Sequence, residues 1–269
     1  MRIKTKNILI GVIILSVILF IIAYPKILNK YYIYVTNQEN LETQEDIRSI
    51  QKENKKLNIE RSQTQNNTYR SNSEIQNTYT IKEITKQLPS KAYIDVPFIC
   101  QAPLQTQQNW TLHEESCEEA AVLQTYLFET NKTMSKPEAN EEILKMISWE
   151  IDFFGSHQDL DADKMIRFIS GYYKINEKNI ILTRNASFED IKLKISQNHP
   201  VIAPVTAKLL KNPYYPYPGY HMLQITGYTD NKIITNDNGT RKGSNFSYNK
   251  QTFMNAFNDA GAFIITIEL

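Results

Sequence analysis

Two cysteines, Cys100 and Cys117, are all that the 269-residue chain carries. Two are too few for a disulfide framework, and no spaced Cys/His set resembles a zinc site. One bridge between them stands against two free thiols. Glycine is scarce as well: only 8 occur, and none falls in residues 12–154, while residues 26–88 lack proline. No Gly-rich phosphate loop of the P-loop kind occurs in these residues. An excess of one charge is missing too. The 30 Lys and Arg balance 29 Asp and Glu to a net +1, so electrostatics give no case for nucleic acid or an acidic partner.

What is present is unevenly distributed. Residues 8–24 are a nearly pure Ile/Leu/Val run preceded by Arg2, Lys4 and Lys6. The run is at the short end of what spans a bilayer, and the basic flank predicts the N-terminus inside and the remainder outside. A cleaved signal peptide is the competing reading, but no small-x-small cleavage site follows. The expectation is a single-pass membrane anchor over residues 1–30, with the bilayer as partner through residues 8–24. The bulk of the protein then lies outside the cytoplasm, secreted if the segment is cleaved. Residues 31–88, rich in Asn, Gln, Glu, Lys, Ser and Thr, read as a polar, partly disordered tether. Within it, residues 42–60 suit a short helix carrying Ile47, Ile50 and Leu57, whose heptad fails at Asn54.

A folded domain is expected over residues 89–269. Residues 93–99 alternate like a strand that Pro97 pushes to an edge. Helices are predicted over 117–129, from Ser135 with a capping box to Glu138, over 161–170 with a stop at Gly171, and from Ser187 with Ile191 and Ile195 inward. Residues 200–206, 221–228, 232–236 and 262–268 read as strands, interrupted by a helix over 251–258. Helices first and strands later give an α+β domain with an antiparallel sheet.

Cys117 stands where a polar loop turns into an amphipathic helix. Ser116 suits the N-cap and Glu119 can close a capping box, which puts the sulfur at the first helical position. The unpaired N–H groups and helix dipole there favour a thiolate, the nucleophilic form of cysteine. Such a nucleophile needs a base, usually His, oriented by a third group. His113 reads as solvated, His157 lies in a loop with nothing to recommend it, and His199 faces a helix C-terminus. His221 opens an apolar strand. A hairpin centred on Thr229 sets His221 opposite Asp237, within reach of an imidazole–carboxylate bond. A one-residue slip destroys the pair, and a surface His with a turn-capping Asp is the bland reading. Gln101 offers a side-chain amide that, with the Cys117 N–H, can form an oxyanion hole. Cys100, its neighbour on the alternating stretch, points into the core as an inert thiol.

The ordered landmarks are Val96-Pro-Phe-Ile-Cys-Gln-Ala-Pro, Asn109-Trp, Cys117-Glu-Glu-Ala, Gly219-Tyr-His and Asn236-Asp-Asn-Gly-Thr-Arg-Lys-Gly. Together they resemble papain-fold cysteine peptidases of family thirty-nine, typified by the double-glycine leader peptidases of bacteriocin export. The closest likeness is to the stand-alone extracytoplasmic branch, from about residue 93 to 269. The resemblance implies a papain-like fold in which Cys117 is the nucleophile, His221 the general base, Asp237 the orienting carboxylate and Gln101 the oxyanion donor. It implies a peptide or protein substrate, a monomeric catalytic domain, and no metal or organic cofactor. Two residues depart from the pattern: Glu118 stands where glycine is usual, and Asn238 where proline is common. The leader peptidases face the cytoplasm on an export ATPase, so bacteriocin maturation is not the expected job. An acyltransferase on the same site and a tethered module without turnover are the rival readings.

Overall fold

The absence of glycine and proline after Pro25 has a direct structural counterpart. The computed structural model describes residues 2–68, 88–215 and 219–269, with side chains described from residue 21 to 56 and in the two later stretches. Its first element, α1 (Arg2–Thr68), is one helix with Pro25 inside it. Thr43, Ile47 and Ile50 are buried, at i, i+4 and i+7, the spacing of one helix face. The two isoleucines pack on Tyr93 and Ile234. Thr43 Oγ1 donates to Ser247 Oγ at 2.7 Å, and Lys232 Nζ lies 3.3 Å from Glu42. The segment expected to be a polar tether is therefore helical through Thr68 and docked on the sheet. A short stripe suffices, because burying an Ile contributes about 1.5–3 kcal/mol. Residues 69–87 of that tether lie outside the described residues. So do the side chains of residues 8–20, most of the expected anchor. Among the described residues no helix is long and apolar enough to cross a membrane.

The domain is built on one antiparallel sheet. Its strands are β1 (Ala92–Tyr93), β2 (Ile180–Thr183), β3 (Val201–Thr206), β4 (Tyr220–Tyr228), β5 (Lys232–Asn236), β6 (Phe246–Asn249) and β7 (Ile264–Ile267). The order is β2-β7-β3-β4-β5-β6, with β1 on β4. β3 stops pairing at Ile225, and β1 takes the edge beyond it, opposite Gly227 and Tyr228. β1 is far shorter than the strand expected over 93–99. Ile94 still donates to Thr226 O, but the chain then leaves the sheet ahead of Pro97. A side chain at Gly227 would meet Ala92 O at 2.7 Å, so this crossing needs glycine.

Helices cover both faces. α3 (Cys117–Glu129), α4 (Lys136–Phe154) and α5 (Ala162–Tyr173) share a core with Ile202, Met222, Ile265 and Ile267. α6 (Phe188–Ser196) and α8 (Lys250–Asp259) share the opposite core with Val201, Ala203, Val205 and Leu223. Because both faces are covered, β3 and β4 read as apolar runs instead of alternating ones. Two short helices, α2 (Gln107–Leu112) and α7 (Ala207–Leu210), lie in the connections.

The capping box expected at Ser135 with Glu138 forms, and a second one joins Ser187 to Asp190 at the expected helix start. Gly171 does not stop its helix. α5 runs on to Tyr173, and Gly171 lies inside because the Trp149 indole occupies the space a Cβ would need.

Candidate active site

The nucleophile candidate begins α3, and the loop before it is pinned from three sides. Thr106 caps α2 by accepting from Asn109 N, and the Asn109 side-chain amide donates to Asn140 Oδ1 of α4 at 2.6 Å. His113 Nε2 is 2.9 Å from the same Asn140 oxygen, and its Nδ1 is 3.3 Å from Ser116 Oγ. His113 is thus buried rather than solvated, and that burial lowers its pKa. Ser116 makes no side-chain cap, so the capping box expected with Glu119 is absent. Its hydroxyl faces His113, and its backbone (φ −99°, ψ 31°) is not the extended form a cap needs.

Cys117 is 5% exposed and free, as is the buried Cys100. Burial pushes the Cys100 thiol up to about 11, in keeping with an inert core position. Cys117 Sγ accepts the Met222 N–H at 3.3 Å and donates to Glu118 Oε2 at 2.9 Å. The other Glu118 oxygen accepts Leu160 N at 2.8 Å. Asn238 Nδ2 donates to the Cys117 carbonyl at 2.9 Å. Both departures from the family pattern therefore hold the cysteine. Burial first, then the charge and hydrogen bond of Glu118, raise the Cys117 pKa well above its ordinary value. Burial likewise pushes Glu118 up to about 7. The helix position alone predicted a stabilised thiolate; the resting group is a thiol, because desolvation and an adjacent carboxylate outweigh the dipole.

His221 and Asp237 do meet, by a route the hairpin argument missed. The ladder pairs Gln224 with Asn236 and Tyr228 with Ile233, with a bulge between Ile225 and Gly227. Near the site the register is shifted by two residues from the one expected, so Asp237 is a diagonal rather than a direct neighbour of His221. An even shift keeps both side chains on one face. The bulge makes it even: the ladder nearest the turn is out by an odd number, and Thr226, the extra residue, restores the parity. His221 Nε2 lies 3.0 Å from Asp237 Oδ1. Gly239 lies against that ring, where a Cβ would approach it to 3.0 Å.

Asp237 is completely buried and accepts widely. Besides His221, Oδ1 takes the Gly239 N–H at 3.1 Å. Oδ2 takes the Tyr215 hydroxyl at 2.8 Å, Asn212 Nδ2 at 3.3 Å and the Tyr248 hydroxyl. Burial alone would raise this carboxyl. The hydrogen bond and charge of His221, then the Tyr248 and Tyr215 hydroxyls, hold it below its ordinary value. The sequence marked the stretch 212–220 as a wall of the groove, but that Asn212, Tyr215 and Tyr248 hold Asp237 left no usable signal, since their spacing follows no period.

Gln101 is fixed at its backbone by donation to Asn238 O at 2.9 Å. Its side-chain amide donates to both His113 O and Glu114 O at 3.0 Å. Gln101, Cys117 and His221 line one cleft of about 230 Å³, with Trp110, Tyr215 and Tyr220. Tyr215 and Tyr220 belong to the Pro/Tyr-rich stretch 212–220 that leads into His221; its residues 216–218 lie outside the described residues. Among the described residues no hydrogen bond joins Cys117 to His221. The rim carries Glu114, Glu115 and Asp159. An adjoining cleft of about 320 Å³ shares Trp110, Tyr215 and Gly239 and adds Arg241 and Lys242. The groove is thus acidic at one end and basic at the other.

A family model described as the Peptidase_C39 like family matches residues 93–263. The chain belongs to the C39-like peptidase family. The α+β architecture with its antiparallel sheet fits the papain-like fold. Among solved structures, a C39-like peptidase from Bacillus anthracis is similar at 14% identity and a TM-score of 0.49. The match covers 67% of this chain and 99% of that one. No curated protein matches the chain.

Proposed function

We propose that this C39-like protein is a thiol hydrolase that cleaves peptide or amide bonds from the cleft between α3 and β4. One observation carries the reading: a buried cysteine at a helix start and a carboxylate-bound histidine open onto the same small groove. Asp237 occupies His221 Nε2, so Nδ1 is the nitrogen that exchanges a proton with Cys117. In the resting enzyme the thiol donates to Glu118. A substrate carbonyl turns the sulfur toward His221, which takes its proton as the sulfur attacks the carbonyl carbon. The Cys117 N–H and the Gln101 amide stabilise the oxyanion, with one Gln101 N–H exchanged from a loop carbonyl to the substrate. His221 protonates the leaving amine as the C–N bond breaks. Water, giving its proton to His221, then attacks the thioester; the C–S bond breaks, the acid leaves, and His221 returns the proton to the Cys117 sulfur.

The substrate is an extended peptide, and the groove's charges favour cationic side chains beside Glu114, Glu115 and Asp159 and acidic ones beside Arg241 and Lys242. The apolar run 8–24 with its basic flank supports membrane anchoring, with the domain extracytoplasmic. The test of the chemistry is labelling of the full chain in detergent with a thiol-directed covalent probe. Cys117 reacts faster than Cys100, His221→Ala abolishes the difference, and Cys117→Ser abolishes amide cleavage. Equal, sluggish labelling of both thiols would refute the hydrolase.

A further inference from the structure

Beneath the first turn of α3 lies a second cluster that the proposed hydrolysis does not use. Glu119 of α3, Glu150 near the end of α4, and His157 of the α4–α5 loop bring one ligand atom each within 4.8 Å of one another. Glu119 and Glu150 are 0% and 1% exposed. Apart from each other and the Glu119 N–H, the two carboxyls have no hydrogen-bond partner, and His157 Nε2 has none. That nitrogen is nevertheless 2.8 Å from Glu119 Oε1. The two groups are in contact, but no N–H of the ring is aligned on the carboxylate.

Two buried carboxylates side by side are unfavourable on three counts. They are desolvated, they repel each other, and Glu150 lies near the negative end of α4. Burial, then the charge of Glu119, pushes Glu150 up to about 10, while burial, then the charge of Glu118, raises Glu119 well above its ordinary range. A divalent cation relieves all three and satisfies the orphaned oxygens. Two carboxylates and an imidazole are a donor set zinc accepts, at about 2.0–2.2 Å. His157, whose side chain is 15% exposed, marks the way in.

From this geometry we infer that Glu119, Glu150 and His157 form a structural zinc site tying α3 to α4 and the α4–α5 loop. That loop supplies the Leu160 N–H that fixes Glu118, so the ion braces the floor of the cleft without touching substrate. Sequence spacing gave no hint of it, because the three ligands come from separate elements.

Cys117, Glu118 and Asp159 form another trio, at the active site, where a thiolate also takes zinc. The test therefore uses the full chain in detergent in a Cys117→Ala background, stripped with EDTA and titrated with Zn²⁺ by calorimetry. One Zn²⁺ binds per chain, and adding Glu150→Gln or His157→Ala weakens binding by about 100-fold or more. Zinc at a hundredfold excess over its Kd raises the unfolding midpoint by about 5–10 °C, and the Glu150→Gln protein does not respond. Glu150→Gln keeps the shape, and without metal burial already holds this carboxyl uncharged, so its midpoint in EDTA does not fall. No uptake, or uptake unchanged by both substitutions, overturns the site. So does a protein whose midpoint ignores zinc, since a shared proton then suffices for the two carboxyls.

Discussion

Tyr248→Phe removes one hydroxyl from the set that holds Asp237, and its effect can be worked from the structure. The hydroxyl donates to Asp237 Oδ2 and accepts from Asn212 Nδ2 at 2.7 Å. Asn212 still reaches Asp237 after the change, at 3.3 Å, so the second bond is partly replaced. The loss is mainly that of a buried hydrogen bond to a charged acceptor, about 2 kcal/mol. For a domain of this size that lowers the unfolding midpoint by about 4–8 °C. Tyr214→Phe is the control: its hydroxyl donates to Asn37 Oδ1 in an exposed position, where the loss is at most about 0.5 kcal/mol.

The same substitution has a signature in acid. Asp237 is held below its ordinary pKa of about 3.8, so its contribution is full above that value and is lost as pH falls through the folded pKa. Removing a donor raises the folded pKa. The Tyr248→Phe protein therefore unfolds in acid at a higher pH than the wild type, whereas Tyr214→Phe does not. Thermal melts of the full chain in detergent between pH 3 and pH 7, values chosen to span the ordinary carboxylate range, measure both effects. Equal losses in the two variants, with no movement of the acid midpoint, would show that the hydroxyl set does not hold this carboxylate.

Gly243→Ala places a Cβ into the Asp237 carbonyl, so the loop over 237–243 must re-form; a loss of about 3 kcal/mol or more is expected in melts, together with preferential labelling of Cys117. Ile50→Arg puts a charge into the contact of α1 with Tyr93 and Ile234; hydrogen exchange should accelerate in residues 40–56 while the sheet stays protected. Arg241→Glu with Lys242→Glu reverses the basic end of the groove; among peptide-library substrates the double variant should lose its preference for acidic residues on that side, by about tenfold. Protease treatment of intact cells should release the domain and leave residues 8–24 in the membrane fraction, if the basic flank orients the anchor as read.

The legible parts of the fold were those written in local chemistry. Ser135 with Glu138, and Ser187 with Asp190, state their helix starts outright, and Lys232–Asn236 is the strand its composition suggests. β6 was not found because Phe246–Asn249 has neither length nor alternation, and α2 because its six residues are too few for a period. The docking of α1 had a trace in the spacing of Thr43, Ile47 and Ile50. It was masked by the polar residues between, since a helix that leans on a sheet along one narrow stripe is hydrophilic elsewhere. At the site, the residue types for Cys117, His221 and Asp237 were legible and the register was not. A bulge has no reliable sequence mark, and the shift it corrects came from strand pairing beyond the turn.

A helix unbroken from Pro25 to its buried contact at Thr43 is a strut about 27 Å long. A leash of the same residues would let the groove sample a wide volume and meet whatever drifts by. A strut gives the groove one height and one bearing relative to whatever grips its far end. On the proposed chemistry, with the far end held, reach becomes a selection rule: a scissile bond presented at another level is spared, however well its side chains suit the pocket.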